Sequence, residues 1–264
     1  MRKKSGYCGS GPQGETGGRA VYGTSDQSSA VLPTFWGCRR VWAHLRITEG
    51  LVVNRKRILR LMREQQLLVP ANPQLRASRT PTRGKPKLHR PNQWWGIDMT
   101  KVLVEPEGWL YIVLVLDWYT KKIVGWQAGT RSTGRDWLQA LEIGLQQQFP
   151  EGEREHRLSL MSDNGCQPTG KAFMKACLAL AVTQAFTSYN NPKGNADTER
   201  LMRTLKEELI WLREWRRHQE LQEGLATWVE QYNEGYHHSA LRYKTPSQFE
   251  QDYHSSHLTQ FVAA

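Results

Sequence analysis

Three strand patterns follow one another closely in the middle of the chain, and they limit the possible folds more than any other feature. Apolar and β-branched residues predict strands over 95–104, 109–116 and 123–128. The second is apolar throughout, so we expect it to lie in the centre of a sheet. The short connections between the three favour an antiparallel meander. The main domain is therefore expected to be built around a sheet.

Helices and strands alternate after this meander. Thr133, with Asp136 three residues later, can cap a helix whose apolar residues return on one face. The elements expected after it are a strand over 158–161, a helix over 171–180, a strand over 182–187 and a helix from about Asp197 to Arg217. This βββαβαβα order fits an α/β ribonuclease-H-like fold, in which helices flank a mixed five-stranded sheet.

Positive charge is concentrated in one segment of the chain. The formal net charge is +11, but residues 39–90 hold 14 Lys and Arg against two acids, whereas residues 91–264 are slightly acidic. An ordinary solvated surface mixes both signs, so this block favours a phosphate-binding segment. No apolar stretch approaches the roughly 20 residues of a membrane-spanning helix. We therefore expect a cytoplasmic protein that binds nucleic acid and has no membrane partner.

The basic segment begins with a two-helix unit. Val41, Trp42 and Leu45 predict one helix, Gly50 interrupts the pattern, and Asn54 can cap a second helix. The second helix is densely basic, as expected of a helix that faces DNA, although a solvated charged face is an alternative. Its basic residues are Arg55, Lys56, Arg57, Arg60 and Arg63.

Three acids stand where a structural role is hard to explain. Asp98 interrupts the first strand, Asp163 follows the end of the fourth, and Glu199 lies in the first turn of the last predicted helix. An Asp within a strand is unfavourable unless it is paired or binds a metal. The first and fourth strands are neighbours in a sheet of this order, so the three carboxylates can meet, and a divalent cation would relieve their repulsion. Oxygen ligands favour Mg²⁺ or Mn²⁺.

Each acid alone also has a structural explanation. Asp98 fits a strand edge, Asp163 fits an Asx turn, and Glu199 fits an acid that favours the helix dipole. The last predicted helix adds weight to the functional interpretation, because Glu199, Arg203 and Lys206 share one of its faces, which suits a metal next to a phosphate track. An ion-paired solvated face is the alternative. The expected buried stripe of this helix is Leu201, Leu205, Leu209 and Leu212.

Several motifs together resemble one family. The stretches 95–100 (WGIDMT), 162–165 (SDNG) and 195–200 (NADTER), with 35 residues between Asp163 and Glu199, resemble the catalytic triad of the DDE transposases and retroviral integrases. Within that group, the basic residues 37–64 and the closing residues 232–249 resemble the OrfB part of the insertion-sequence-three family of bacterial transposases.

The resemblance implies an enzyme of DNA integration, recombination and transposition. Asp98, Asp163 and Glu199 would hold two Mg²⁺ ions, with Mn²⁺ as a substitute, for strand cleavage and strand transfer. The basic residues of the second helix, with Arg203 and Lys206, would contact DNA. Asn164 and His238 are further candidates, and a packed structural histidine is the alternative for His238.

The resemblance also implies partners, and together with the patterns described above it gives a division of the chain. The partners are the terminal repeats of the element, target DNA, further copies of the chain in a multimer, and an OrfA product or OrfAB fusion, in the bacterial cytoplasm at the nucleoid. The predicted parts are a disordered glycine- and serine-rich arm over 1–33, a basic helix-turn-helix-like unit over 34–69, a basic proline-containing linker over 70–93, an integrase catalytic core with a C-terminal helix over 94–252, and a tail over 253–264.

The sequence departs from the family pattern in three places. Tyr236 and His237 stand where the family usually has Arg-Pro, Cys38 stands where an aromatic residue is usual, and the first 33 residues lack the expected helical lead-in. A catalytically inactive DNA-binding remnant is therefore an alternative, as is a chain that is inactive without its OrfA partner. A ribonuclease H would explain the acids, but it would need neither the basic two-helix unit nor the closing motif.

Overall fold

A five-stranded mixed sheet forms the centre of the protein. This computed structural model describes residues 36–68, 86–151, 157–187 and 192–262. The strands are β1 (Trp94–Val104), β2 (Gly108–Asp117), β3 (Ile123–Gly129), β4 (Ser159–Ser162) and β5 (Thr183–Phe186). Their order is β3-β2-β1-β4-β5; the first three are antiparallel, β4 is parallel to β1, and β5 is parallel to β4. The predicted meander and mixed sheet are confirmed.

Helices precede the sheet and cover both of its faces. The α-helices of the described residues are α1 (Cys38–Ile47), α2 (Arg55–Glu64), α3 (Gly134–Gln148), α4 (Lys171–Ala179), α5 (Ala196–Glu208), α6 (His218–Gly235) and α7 (Pro246–Val262). The predicted cap of α3 is confirmed, because the Thr133 backbone N–H donates to Asp136 Oδ2 at 2.7 Å.

Two hydrophobic cores lie on opposite faces of the sheet. Leu110, Ile112 and Leu114 of β2 pack into a core shared with α5 and α6, whereas Val113 and Val115 pack into a core shared with α3 and α4. Successive side chains of a strand point to opposite faces, so an apolar central strand can serve both cores. The result is a three-layer α/β/α arrangement, and the prediction of a ribonuclease-H-like α/β fold holds.

Helix α5 ends earlier than the sequence pattern predicts. We expected a helix to about Arg217, but α5 stops at Glu208, and a 3₁₀ turn follows over Ile210–Leu212. The chain turns inward there, because Ile210 and Trp215 are both buried and the Trp215 indole N–H donates to the Ile210 carbonyl at 3.1 Å. The predicted leucine stripe therefore fails at Leu212, which is 50% exposed.

The predicted two-helix unit is present as α1 and α2, although Val41, Trp42 and Leu45 of α1 are only half-buried. The Asn54 side chain accepts a hydrogen bond from the Lys56 backbone N–H and caps α2, as expected. Ile58 and Met62 form the buried side of α2, while Leu61 is 37% exposed and lies outside it. The five predicted DNA-binding residues of α2 are all exposed. One of them, Arg60, forms an ion pair in which its Nε lies 3.6 Å from Glu64 Oε1.

Two predicted segments lie wholly or partly outside the described residues, and α7 runs past one predicted boundary. The arm over 1–33 and linker residues 69–85 lie outside the described residues. Helix α7 continues to Val262 and so crosses the boundary placed between core and tail at residue 252. Within the described residues, no helix is both long and apolar enough to cross a membrane.

A glycine sets the approach of α5 to the sheet. A Cβ atom added to Gly96 of β1 would lie 1.9 Å from Thr198 Oγ1, 2.4 Å from Trp118 Nε1 and 2.8 Å from Asn195 Oδ1. The Trp118 indole N–H donates to Thr198 Oγ1 at 3.1 Å, so any displacement of α5 would also break this buried hydrogen bond. Only a glycine allows α5 to sit this close to β1.

We predict that Gly96→Ala lowers the free energy of unfolding by about 1–3 kcal/mol, because the added methyl group overpacks the α5–β1 contact. Urea denaturation monitored by circular dichroism would measure the change. Gly129→Ala in β3 is a matched control, since its Cβ would come no nearer than 3.9 Å to the Arg131 carbonyl oxygen. Equal stability losses in the two variants would contradict the prediction.

Candidate active site

Strand pairing places two of the predicted acids at the same level of the sheet. The parallel register of β1 and β4 pairs Trp94 with Ser159 and Gly96 with Met161. Continued by two residues, the same register sets Asp98 level with Asp163, which follows the end of β4. Asp163 Oδ1 also accepts the Gly165 backbone N–H at 3.1 Å. The structural alternative for Asp163, an Asx turn, is therefore present together with its alignment to Asp98.

Glu199 reaches the same end of the sheet from α5. Asn195, just before α5, donates from Nδ2 to the Ile97 carbonyl at 3.4 Å and ties the start of the helix to β1. Glu199 then stands in the first turn, and Lys206 lies two turns further along on the same face. The charges of Asp163, Glu199 and Lys206 all act on Asp98. The structure therefore brings the three predicted acids and Lys206 into one neighbourhood.

Burial and like charges leave Asp98 with an unfavourable environment. Burial raises the pKa of Asp98 to about 6; the Met99 backbone N–H, which donates to Asp98 Oδ1 at 2.8 Å, opposes the rise, and Asp163 and Glu199 add to it. Acids whose pKa is raised in this way are enriched at functional sites, so Asp98 is a candidate for one.

Asp117 gives an instructive contrast. Burial also raises the pKa of Asp117 to about 6, but its two carboxylate oxygens accept the backbone N–H groups of Asn92 and Tyr119 at 3.0 and 2.7 Å. Its position at the end of β2 is thus accounted for by hydrogen bonds. Asp98 has a single backbone donor and two acidic neighbours instead.

The carboxylates of Asp98, Asp163 and Glu199 suit Mg²⁺ by their chemistry, although they do not form a closed coordination site. Three carboxylates provide the oxygen ligands that hard divalent cations prefer. Among the described residues, no group of three or more His, Cys, Asp and Glu side chains lies close enough to hold a metal ion. The acids are therefore near enough to act on Asp98 without forming a coordination sphere.

The remaining predicted site residues have different surroundings. Arg203 is exposed, and its Nε lies 2.7 Å from Glu207 Oε1. This is the ion-paired solvated face that is the alternative to a DNA contact. Asn164 Nδ2 donates to the Thr187 carbonyl at 2.7 Å, which fixes the loop after β4 to the end of β5. His238 packs against Tyr232 and Tyr236 in a cavity that none of the three acids lines.

An important contact that the sequence did not indicate joins α1 to the closing motif, residues 232–249. Arg40 Nη1 lies 3.0 Å from Glu208 Oε1, and its guanidinium group lies 3.7 Å from the ring centre of Tyr236 and donates to the Tyr236 hydroxyl. The Arg40 charge is thus shared between an ion pair and a cation–π contact. Tyr236 is one of the two departures from the family pattern in this motif.

The second departure, His237, makes a similar contact. Its Nδ1 donates to the Tyr243 carbonyl at 2.8 Å, so its Nε2 is the acceptor for the Thr48 hydroxyl at 3.2 Å. The Trp42 and Tyr243 rings meet edge to face, with 5.6 Å between their centres. The closing motif therefore holds α1 against the core. The one sequence signal for this contact is that an aromatic residue, Tyr236, replaces the usual residue of the motif while α1 carries basic residues.

Family comparisons agree with this architecture. Residues 88–192 match a family model described as "Integrase core domain", and residues 180–246 match a second model with the same description. The two matches run without a break over more than half of the chain. The chain belongs to the DDE transposase and integrase superfamily. Residues 26–74 match an HTH-like domain, and this match includes α1 and α2.

The individual proteins that the chain is similar to have low sequence identity with it. The chain is 26% identical over 223 residues to transposase InsD for insertion element IS2A/D/F/H/I/K of Escherichia coli, covering 83% of this chain and 74% of that protein. A simian T-cell lymphotropic virus intasome in complex with PP2A regulatory subunit B56 gamma aligns with a TM-score of 0.49 and 15% identity, over 79% of this chain and 73% of that one. The HTLV-2 integrase catalytic core domain in complex with magnesium aligns with a TM-score of 0.46 and 14% identity, over 61% and 97%.

We predict that Asp98→Asn raises the free energy of unfolding at pH 7.5, without divalent cations, by on the order of 1–2 kcal/mol. The pKa of Asp98 is raised on folding, so the folded protein binds more protons than the unfolded chain between about pH 4 and 6, and the wild type loses stability as pH rises through that window. The gain in the variant should therefore vanish below about pH 4. Urea denaturation of both proteins across this range would measure it.

Asp117→Asn is the matched control for this prediction. An amide offers one acceptor oxygen, whereas two backbone N–H groups point at the Asp117 carboxylate. The control should lose about 1–3 kcal/mol. A loss of stability in Asp98→Asn as large as in Asp117→Asn would mean that Asp98 is a structural residue.

We predict that Arg40→Lys frees α1 from the core without unfolding the sheet, because Lys cannot reproduce the stacked and ion-paired guanidinium. Hydrogen exchange of the α1 amides should become about tenfold faster, while exchange in β2 stays unchanged. Arg46→Lys, at the exposed end of the same helix, should leave α1 exchange nearly as in the wild type. Unchanged α1 exchange in Arg40→Lys would refute the docking role.

Proposed function

We propose that the chain is the catalytic subunit of an insertion-sequence transposase, with Asp98, Asp163 and Glu199 as its cation-holding residues. The observation that carries this proposal is the common level of Asp98 and Asp163 across β1 and β4, under the first turn of α5. The unfavourable environment of Asp98 supports it further, because such an acid is stabilised when a divalent cation is bound. Family membership supports polynucleotidyl transfer as the type of reaction.

The proposed reaction consists of two phosphodiester exchanges at the same site. Water attacks the phosphodiester at the element end, a P–O bond breaks, and the freed 3′-hydroxyl leaves. That hydroxyl then attacks a target phosphodiester and displaces a target 3′-hydroxyl, so no covalent protein intermediate forms. When bound, two Mg²⁺ ions, or Mn²⁺ in their place, would stabilise the attacking and leaving oxygens.

The remaining roles fall to basic side chains. Lys206, which acts on Asp98 from the same face of α5 as Glu199, would bind the phosphate backbone next to the reacting group. Arg203 would also bind the phosphate backbone once its ion pair with Glu207 is broken. The exposed basic side of α2, from Arg55 to Arg63, would hold the terminal repeat. These contacts position DNA, and they are expected to weaken with salt.

We also propose a multimer on DNA, because joining two element ends requires two active sites. An OrfA product or an OrfAB fusion would complete the transposase, in a bacterial cell at the nucleoid. A catalytically inactive DNA-binding remnant remains the competing hypothesis, since activity depends on the three acids being drawn together by cations.

We predict that Asp98→Asn, Asp163→Asn and Glu199→Gln each reduce Mg²⁺-dependent cleavage and joining of element-end DNA on the order of 10²- to 10³-fold. DNA binding, measured by gel shift, should survive in all three. Glu230→Gln, an exposed acid on α6, is the matched control and should keep full activity.

The assay separates the competing hypotheses. Full activity in any of the three variants would overturn the assignment of the site. A gel shift without cleavage by the wild type, with Mn²⁺ and OrfA present, would identify the inactive remnant. Cleavage of an RNA–DNA hybrid in place of element ends would identify a ribonuclease H.

A further inference from the structure

A cavity of about 410 Å³ lies on the side of α5 away from the three acids. Its wall is formed by the first turn of α1, by α5 residues on the Asp197, Arg200 and Thr204 face, and by the closing motif. Glu199 and Lys206 project from a different face of α5. Residues seven positions apart lie on the same side of a helix, so Glu199 and Lys206 share one face, whereas residues 197, 200 and 204 lie together on another. The cavity is therefore distinct from the candidate active site.

The N-terminus of α1 opens into this cavity without a cap. Gly37, at the N-cap position, has no side chain to accept the first backbone N–H groups, and the first turn contains no acid. Both Gly37 and Cys38 line the cavity. Uncapped N–H groups together with the helix dipole favour an anion at this position.

His238 contributes an unused polar atom to the same space. Its Nε2 is buried and has no hydrogen-bond partner among the described residues, and its ring lines the cavity beside Tyr236. Burial, with Arg40, Lys121 and Arg200 nearby, lowers the pKa of His238 to about 3, so the ring is neutral at physiological pH. In the tautomer protonated on Nε2 it can donate to an anion, and a buried donor without an acceptor is costly.

Positive side chains surround the cavity in excess. Arg40 and Lys121 are matched by Glu208 and Asp197, at 3.0 and 3.1 Å. Arg39 and Arg200 also line the cavity. Both are exposed, and the ion pairs found among the described residues include neither of them. Two positive charges are thus left for a ligand.

We propose that this cavity binds a phosphate group, held by the α1 N-terminus, Arg39, Arg200 and His238 Nε2. The phosphate belongs either to a DNA backbone or to a free phosphate ion. In both cases it locks α1 onto the closing motif, because its ligands come from both. The site does not rest on the proposed DNA chemistry, since the carboxylates take no part in it.

The test is a calorimetric titration of the full chain with inorganic phosphate in a phosphate-free buffer. The wild type should bind it saturably, and Arg200→Gln should weaken binding at least about tenfold, since a charge-assisted hydrogen bond is lost. His238→Phe keeps the ring but removes Nε2, and it should weaken binding in the same direction. Arg217→Gln removes an equal charge at the far end of α6 and should bind like the wild type.

A second measurement identifies the source of the phosphate. DNA binding by fluorescence anisotropy is compared with and without saturating phosphate, at matched ionic strength. If phosphate weakens DNA binding by the wild type but not by Arg200→Gln, the site takes a DNA backbone phosphate. If DNA binding is unaffected, the ligand is a free phosphate ion. Both results support the site.

Two results would overturn the proposal. One is the absence of saturable phosphate binding by the wild type. The other is an equal loss of affinity in Arg217→Gln and Arg200→Gln, which would reduce the effect to net charge. Asp98→Asn separates this site from the proposed catalysis, because it should bind phosphate normally while losing DNA cleavage.

Discussion

The close contact between α5 and β1 is the interaction on which the rest of the site depends. Gly96 leaves room for Thr198 and Asn195, and the hydrogen bond from Trp118 to Thr198 holds the helix there. Because Glu199 follows Thr198 directly, this packing decides how far the helix carboxylate stands from the strand carboxylate at Asp98. A glycine two residues before an acid thus controls the geometry of a charge cluster without carrying any charge.

The structure also has an electrostatic asymmetry between two of its acids, Asp117 and Asp98. Asp117 is fully buried and accepts two backbone N–H groups, whereas Asp98 is half-buried beside other carboxylates and accepts one. Folding therefore disfavours the ionised form of Asp98. This combination is common where a protein keeps a group ready for a ligand, and less common where an acid only stabilises the fold.

Much of the sheet and the placement of the three acids could be predicted from the sequence, because apolar strand runs, the Thr133 cap and the spacing of acids are local patterns. The end of α5 could not, since residues 209–217 contain no Gly or Pro and only the burial of Trp215 turns the chain. The contact of Arg40 with Tyr236 was not predicted either, because the two residues lie 196 positions apart and only the departure at Tyr236 drew attention to the motif. Long-range pairing of single side chains leaves no periodic trace.

That separation bears on how the protein is made. During synthesis the α1–α2 unit leaves the ribosome long before the closing motif, and its docking partners, Glu208 and Tyr236, exist only after nearly the whole core has emerged. The α1–α2 unit can therefore be held in its final orientation on the core only after residues 208 and 236 have been made. A nascent or interrupted chain could carry the basic α2 surface while lacking a fixed relation between it and the acids. Alignment of the two would therefore report that translation has passed the closing motif.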